Sequence, residues 1–163
     1  MQKTITLAAL WLLASCAMAR PTSQQHAIVL PPSQARHALE QCSRESPQSD
    51  ADGTWTIPLA TIARLEEDLS KLTAVGSHHW GIAASSAWNP RDYFRQYAGI
   101  TIRGKKYVYI NAFHDLPIYI DGQDPTRWER EPELACDGGD SFWGALYDPE
   151  TRQFSQLAFN GVA

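Results

Sequence analysis

The chain has 163 residues, of which 44% are hydrophobic and 20% charged, and 14 basic against 18 acidic residues give a net charge of -4. This acidic balance argues against nucleic acid as a partner and against attachment to anionic lipid by charge alone. A chain of this length suits one domain with a single hydrophobic core.

The first nineteen residues have the pattern of an export signal. Lys3 precedes an apolar run over residues 5–13, which is too short to span a bilayer but has the length of a signal-peptide core. The run ends in the tetrapeptide LASC, whose last residue is Cys16. This tetrapeptide resembles the lipobox of bacterial lipoprotein precursors, in which the cysteine is acylated and becomes the new N-terminus.

A second cleavage site follows directly, because residues 17–19 form an A-x-A site for ordinary signal peptidase. Cleavage there would release a soluble secreted protein that begins at Arg20. The lipoprotein is favoured, and it predicts a periplasmic protein anchored to the membrane of a bacterial cell. The predicted organisation is a signal over 1–19, a tether and extended lead-in segment over 20–32, and one α+β domain over 33–163.

Export also decides how the cysteines are interpreted. Cys16 is either lipidated or removed, which leaves Cys42 and Cys136, and an oxidising compartment favours a disulfide between them. Such a bond closes a loop of about 95 residues and contributes about 4–5 kcal/mol. A catalytic thiol or a zinc ligand is the weaker alternative, because neither cysteine belongs to a C-x-x-C pair or lies beside a histidine. No metal or cofactor is expected.

Two helices are predicted. The first begins after Ser33 and places Cys42 on its buried side. The second is capped by Thr56 and carries an apolar stripe that should cover a sheet, while its charged residues between Arg64 and Lys71 face solvent. The stripe consists of Leu59, Ile62, Leu65, Leu69 and Leu72.

The alternation of apolar and polar residues, together with residues typical of turns, predicts the strands. Residues 97–102 and 105–113 flank Arg103-Gly104, which predicts a two-residue hairpin. Residues 141–147 and 154–160 flank a turn containing Pro149 and predict a second hairpin. The fold class is therefore α+β, with an antiparallel sheet of at least four strands packed on one or two helices.

Two further segments are assigned more loosely. The apolar run 27–30 predicts an edge strand or an extended segment. The polar stretch 43–53 predicts a loop. Within the sheet, Val108 and Ile110 should face the stripe of the second helix.

The stretch 136–144, with sequence CDGGDSFWG, is the first candidate site. Asp137 and Asp140 flank two glycines, and this pair could bind a metal or act as an acid and a base in a hydrolase. The favoured interpretation is structural: the carboxylates bond backbone amides of a glycine turn. Two carboxylates without a matched third ligand are weak support for a metal.

Aromatic residues form the second candidate site. Trp80, Trp88, Trp128 and Trp143 supply more aromatic area than a small sheet obviously needs. Core filling explains some of them, and an exposed subset would suit a protein interface or a glycan surface. The histidines at 78, 79 and 114 are interpreted as ordinary surface residues.

Four motifs suggest a family relationship. They are YFRQY (93–97), KKYVYINAF (105–113), CDGGDSFWG (136–144) and FNG (159–161). Together they resemble a family of small exported bacterial proteins of uncharacterised activity, over roughly residues 55–163. The resemblance implies export and carries no functional residues with it.

The leading functional interpretation is a non-catalytic envelope protein that binds another protein. An inhibitor or immunity protein directed against a cell-wall-acting enzyme is the concrete version, since an acidic surface suits a basic wall hydrolase. The alternative is a small envelope hydrolase or glycan-binding domain that uses Asp137 and Asp140, with Trp143 as a stacking platform. Convergence of the two carboxylates in a cleft would favour this alternative.

Overall fold

The computed structural model describes residues 26–76, 88–114, 124 and 126–162. The predicted export signal with Cys16 and the residues His78, His79 and Trp80 therefore lie outside the described residues. No helix within these ranges is long and apolar enough to cross a membrane. The elements are β1 (Ala27–Val29), α1 (Pro32–Ala35), β2 (Ala51–Thr54), α2 (Leu59–Asp68), β3 (Phe94–Ile102), β4 (Lys105–Phe113), β5 (Phe142–Asp148) and β6 (Gln153–Phe159). Two helices and a mostly antiparallel sheet confirm the α+β class.

Within the described ranges the sheet contains six strands, of which five lie in the order β1-β3-β4-β5-β6, while β2 also pairs with β3. β1 runs parallel to the first half of β3, whereas β2 runs antiparallel to its second half. These two short strands therefore share one edge of β3, and β6 forms the opposite edge of the sheet. The run 27–30 thus provides a strand, and the sheet includes residues ahead of position 33.

Both predicted hairpins are present. Arg103 and Gly104 have φ values of 52° and 74°, the left-handed pair that a two-residue turn of this kind requires. β4 has the predicted bounds, while β3 begins at Phe94, three residues earlier than expected. The second hairpin turns after Asp148, and Arg152, with φ 58°, leads the chain into β6.

The loop predicted over 43–53 is wrong at its end, because residues 51–54 form β2. Pairing with β3 overrides the local turn propensity of this segment. The Asp52 carboxylate accepts hydrogen bonds from Thr101 Oγ1 (2.5 Å) and from the Gly104 amide (3.0 Å). The bond from Thr101 has the larger effect, and together with the bond from Gly104 it holds the pKa of Asp52 below its ordinary value.

The α2 side of the sheet holds the larger core. Leu65, Leu69 and Leu72 are buried in one cluster with Val108 and Ile110, which confirms the predicted packing of the stripe. The short 3-10 segment Leu69–Ala74 continues α2 and supplies the last two of these leucines.

Three details of the predicted second helix are wrong. Leu59 is 81% exposed, because it is the first helical residue and lies ahead of the turns that contact the sheet. The N-cap is Pro58, and Thr56 makes no capping bond. Asp68 is buried, whereas it was expected to face solvent.

The acidic side chains of α2 bind the sheet. Glu66 accepts hydrogen bonds from the hydroxyl of Tyr97 and from Arg95, whose Nε lies 3.2 Å from Oε1. Asp68 accepts from Arg152, with Nε–Oδ2 of 2.8 Å, and from the Tyr147 hydroxyl at 2.9 Å. These contacts fix α2 on the sheet alongside the apolar packing.

The opposite side of the sheet packs against α1 and the residues that follow it. Leu30, Ala38 and Leu39 contribute to this second core, together with Ile100 and Tyr109 of the sheet. The sheet is therefore covered on both faces, which we call the α2 face and the α1 face.

The first predicted helix is shorter than its apolar spacing suggested. α1 ends at Ala35, and a 3-10 turn over His37–Leu39 follows. Cys42 lies beyond both and is exposed, so its assignment to a buried helical face is wrong. The predicted disulfide is present: Cys42 is bonded to Cys136, with Cα atoms 5.0 Å apart.

Candidate functional site

The glycine segment is a tight turn at one end of the sheet. Gly138 and Gly139 have φ values of 102° and 55°, which favour glycine. A Cβ at Gly138 would lie 2.7 Å from the ring of Phe142. Main-chain bonds close the turn, from the Gly139 amide to the Gly161 carbonyl and from the Ser141 amide to the Gly138 carbonyl, both 3.0 Å.

The two aspartates of this turn are held by their main chain. The Asp137 carbonyl accepts from Asn160 Nδ2 (3.1 Å), and the Asp140 carbonyl accepts from the Tyr93 hydroxyl (2.8 Å). Both residues are exposed, and neither carboxylate bonds a backbone amide within the described ranges. The expectation that the carboxylates secure the turn is therefore wrong, because carbonyl groups do so.

Tyr93 connects this turn to neighbouring aromatic residues. Its burial, and after it the negative charge of Asp140, raises the pKa of the hydroxyl to about 12. The hydroxyl stays protonated at neutral pH and continues to donate to the Asp140 carbonyl. The ring of His114 lies edge-on to Tyr93 at 5.4 Å. Among the described residues, no group of three His, Cys, Asp or Glu is placed to hold a metal ion.

The described tryptophans fill the core. Trp88, Trp128 and Trp143 are all buried. Trp88 packs edge-on against Trp143 and Phe159, with ring centroids 5.5 Å and 5.4 Å apart. Trp128 packs edge-on against Phe94, with ring centroids 5.3 Å apart. None of the three presents a ring face to solvent on which a glycan could stack.

A buried arginine organises the α1 face. The Arg44 guanidinium donates to Asn160 Oδ1 (2.7 Å), to Asn111 Oδ1 and, more weakly, to the Tyr109 hydroxyl (3.4 Å). All three acceptors are uncharged. Arg44 fits because β5 has a glycine beneath it: a Cβ at Gly144 would lie 3.0 Å from Arg44 Nε.

The same polar network holds the segment before the glycine turn. Gln96 Oε1 accepts from Asn111 Nδ2 and from the Glu133 amide, both 2.8 Å, and Asn111 Nδ2 also donates to the Glu133 carbonyl (2.7 Å). Asn160 Nδ2 donates to the Ala135 carbonyl (2.6 Å). The network and the disulfide therefore fix two long connections on one face of the sheet.

These residues were missed in the sequence because nothing marks them locally. Gln96 and Asn111 stand at inward-facing strand positions where an apolar residue is the usual choice. Two polar residues on the same side of adjacent strands are the signal that could have identified a buried network. Arg44 gave no signal, because it lies in a polar stretch that predicts a loop.

A groove lies next to this network, at the edge of the sheet. The chain continues from Arg44 toward β2 and leaves a cavity of about 360 Å³ between itself and β6. We call this cavity the β6 groove. It is lined by Glu45, Ser46, Pro47, Asp50, Gln156 and Ala158. Asp137 and Asp140 are not among its lining residues.

Among the described residues that line the groove, the ionisable ones are the acidic Glu45 and Asp50. Both are exposed. The Asp50 carboxylate forms no hydrogen bond or ion pair within the described part of the chain. A positively charged group in the groove would therefore meet complementary charge at the Asp50 carboxylate.

β6 borders the groove and has an unusual edge. It is the outer strand of the sheet in the part of the chain that the structure describes, and its seven residues, QFSQLAF, include no charged side chain. Outer strands are commonly protected by charges, prolines or bulges. Here a bulge places Gln156 and Leu157 opposite one residue of β5, and Gln156 has a left-handed φ of 53°.

A comparison of the chain with protein-family models, curated proteins and solved structures found no match. The motif resemblance to small exported bacterial proteins stays a prediction.

Proposed function

We propose that the protein is an exported envelope protein that binds another protein without catalysing a reaction. In its concrete form it blocks a cell-wall-acting enzyme, as an inhibitor or immunity protein does. The observation that carries the proposal is the acidic β6 groove beside an uncharged outer strand. The exposed side chains of Asp50 and Gln156 on the two sides of this groove offer a partner protein charged and polar contacts.

The residues around the groove support this function, because they fix the conformation of the groove before a partner binds. Arg44, directly preceding Glu45, is anchored to Asn160 and Asn111, and Pro47 is buried. The disulfide at Cys42 restrains the same segment. A preformed surface loses little conformational entropy on binding, which favours affinity.

A hydrolase or glycan-binding domain built on Asp137 and Asp140 has less support. Their main chains serve the glycine turn, and their carboxylates do not line the β6 groove. The buried indole of Trp143 is closed to a sugar ring. An acid–base pair also needs carboxyl groups in contrasting surroundings, whereas both of these residues are exposed.

The proposed location is the bacterial envelope, with Cys16 as a lipid anchor. The test is Cys16→Ser followed by cell fractionation. The variant should move from the membrane to the soluble fraction or remain an uncleaved precursor. A natural mature N-terminus at Arg20 would show that the adjacent A-x-A site is used and that the protein is soluble.

The binding function is tested with the purified processed protein. It should retain a specific envelope protein from a detergent extract, and it should then inhibit that protein's hydrolysis of cell-wall polymer at a one-to-one ratio. The result against the proposal is hydrolysis by this protein itself, lost in Asp137→Asn or Asp140→Asn at unchanged melting temperature.

A further inference from the structure

We propose that Asn160 is a deamidation site, which the disulfide between Cys42 and Cys136 keeps unreactive. Deamidation converts an asparagine to aspartate or isoaspartate, and glycine is the following residue that hinders the reaction least, because it has no side chain. The chain contains three asparagines, and Asn160 is the one that a glycine follows. This inference does not depend on the proposed binding function.

The reaction is a ring closure within the chain. The main-chain nitrogen of Gly161 gives its proton to a base and attacks Cγ of Asn160. A C–N bond forms, and the side-chain nitrogen Nδ2 leaves as ammonia. One water molecule then opens the resulting succinimide, so that position 160 becomes aspartate or, where the main chain now runs through the side chain, isoaspartate. No oxidant or reductant is consumed.

The folded protein holds the reacting groups in other contacts. The Gly161 amide donates to Ser43 Oγ (3.2 Å), so the nucleophile keeps its proton. The side-chain oxygen of Asn160 accepts from Arg44 (2.7 Å), and Asn160 is fully buried. Ring closure requires the side chain to rotate and to lose these bonds in surroundings where an unmade hydrogen bond is costly.

The leaving group is held by the two residues that flank Cys136. Asn160 Nδ2 donates to the carbonyls of Ala135 (2.6 Å) and Asp137 (3.1 Å). The two residues that bind the nucleophile and the side-chain oxygen directly follow Cys42. All four partners therefore lie within two positions of a disulfide-bonded cysteine. The disulfide clamps together the two segments that hold Asn160.

Reduction of the disulfide would release this clamp. Both cysteines are exposed, so a dithiol reductant can reach them. A thiolate of the dithiol attacks one sulfur, and its second thiol displaces the mixed disulfide, which leaves two cysteine thiols and an oxidised dithiol. Without the crosslink the two segments open more often, and ring closure follows from the open state. A carboxylate at position 160 has no N–H group for the two carbonyls, so the change outlasts re-formation of the disulfide.

The experiment incubates the purified processed protein at mildly alkaline pH, with the disulfide intact or reduced by dithiothreitol. Mass spectrometry of the C-terminal peptide follows the replacement of NH2 by OH at position 160. The reduced protein should deamidate at least about tenfold faster than the oxidised protein.

Two glycine variants test the chemistry. Gly161→Ala places a Cβ next to the attacking nitrogen and 3.6 Å from Ser43 Cβ, which is an ordinary contact. This variant should fold and should strongly slow deamidation of the reduced protein. Gly76→Ala, where a Cβ would meet nothing within 4 Å, is the control and should leave the rate unchanged.

The internal reference is Asn111, which is also buried but is followed by alanine, and which should keep its mass in the same samples. Equal rates of deamidation in the oxidised and the reduced protein would overturn the inference, as would a reduced protein that keeps its asparagine at position 160. An unchanged rate in Gly161→Ala, or equally fast deamidation of Asn111, would also overturn it.

Discussion

The guanidinium of Arg44 lies 2.7 Å from Oδ1 of Asn160, a residue 116 positions later in the chain. This bond joins the segment that leads into the β6 groove to the residue that directly follows β6. Asn160 also binds the carbonyls of Ala135 and Asp137. One amide side chain therefore connects the groove, the glycine turn and the disulfide-bonded segment.

The first prediction concerns this amide. Asn160→Ala removes one of the acceptors of the buried Arg44 guanidinium and the donor to two carbonyl groups, and we expect a loss of about 2–4 kcal/mol in the free energy of unfolding. Denaturant unfolding with the disulfide intact measures the loss. Gln153→Ala, at an exposed position of β6, is the control and should change stability by less than about 0.5 kcal/mol. Equal values for the two variants would contradict the network.

Gly99 provides a second prediction. A Cβ at this position would lie 2.1 Å from the Trp55 carbonyl oxygen, because the chain before α2 crosses β3 there. Gly99→Ala should therefore destabilise the protein by about 3 kcal/mol or prevent folding. At Gly76 a Cβ would meet nothing within 4 Å, so Gly76→Ala should fold with nearly unchanged stability. Thermal unfolding followed by circular dichroism distinguishes the two outcomes.

The third prediction concerns acid stability. Hydrogen bonds from Arg152 hold the pKa of Asp68 well below its ordinary value. Burial acts in the opposite direction, while hydrogen bonds from Lys71 and Tyr147 lower the pKa further. A carboxyl group whose pKa is lower in the folded state contributes stability above its unfolded pKa. That contribution disappears as the pH falls toward the folded pKa.

The wild-type protein should therefore lose stability as the pH falls below about 4. Asp68→Asn should lower the free energy of unfolding by about 1–2 kcal/mol at neutral pH, a value that allows for solvent screening. Over the same acid range this variant should lose less stability than the wild type. Glu67→Gln, which removes an exposed partner of Arg152, is the control and should retain the wild-type acid profile. A steeper acid loss in Asp68→Asn than in the wild type would be inconsistent with this role.

How far the sequence predicts this fold depends on the range of the interactions. Arg103-Gly104 and Pro149 determine hairpins locally, so both hairpins were predictable. β2 was missed because its pairing with β3, distant in the chain, decides its conformation. Leu59 has helical spacing, but its exposure depends on where the helix meets the sheet.

The candidate site shows the same limit. The glycines of 138–139 predicted a turn, and the pairing of Cys42 with Cys136 followed from elimination. The β6 groove combines Glu45 and Asp50 with Gln156, which no local pattern relates. Surfaces made from distant segments become visible only after the sheet order is known.

A fourth prediction separates stability from binding at the groove. Gln156 has a left-handed φ of 53°, which costs a side-chain-bearing residue more than glycine. Gln156→Gly should raise the free energy of unfolding by about 0.5–1 kcal/mol and weaken binding of the partner protein, because it removes an exposed side chain that lines the β6 groove. Arg103→Gly relieves a similar strain at φ 52° in the distant hairpin. It should raise stability without affecting binding of the partner.

Site-specific photo-cross-linking in the cells that make the protein tests most directly whether a partner protein binds in the β6 groove. A photoreactive residue at position 156 should give an adduct with an envelope protein, and the cross-linked peptide should contain lysine or arginine. Asp50→Lys should abolish this adduct, and the same photoreactive residue at exposed position 63 on α2 should give none. Adducts at position 63 or beside Asp140, with none at 156, would contradict a partner in the β6 groove.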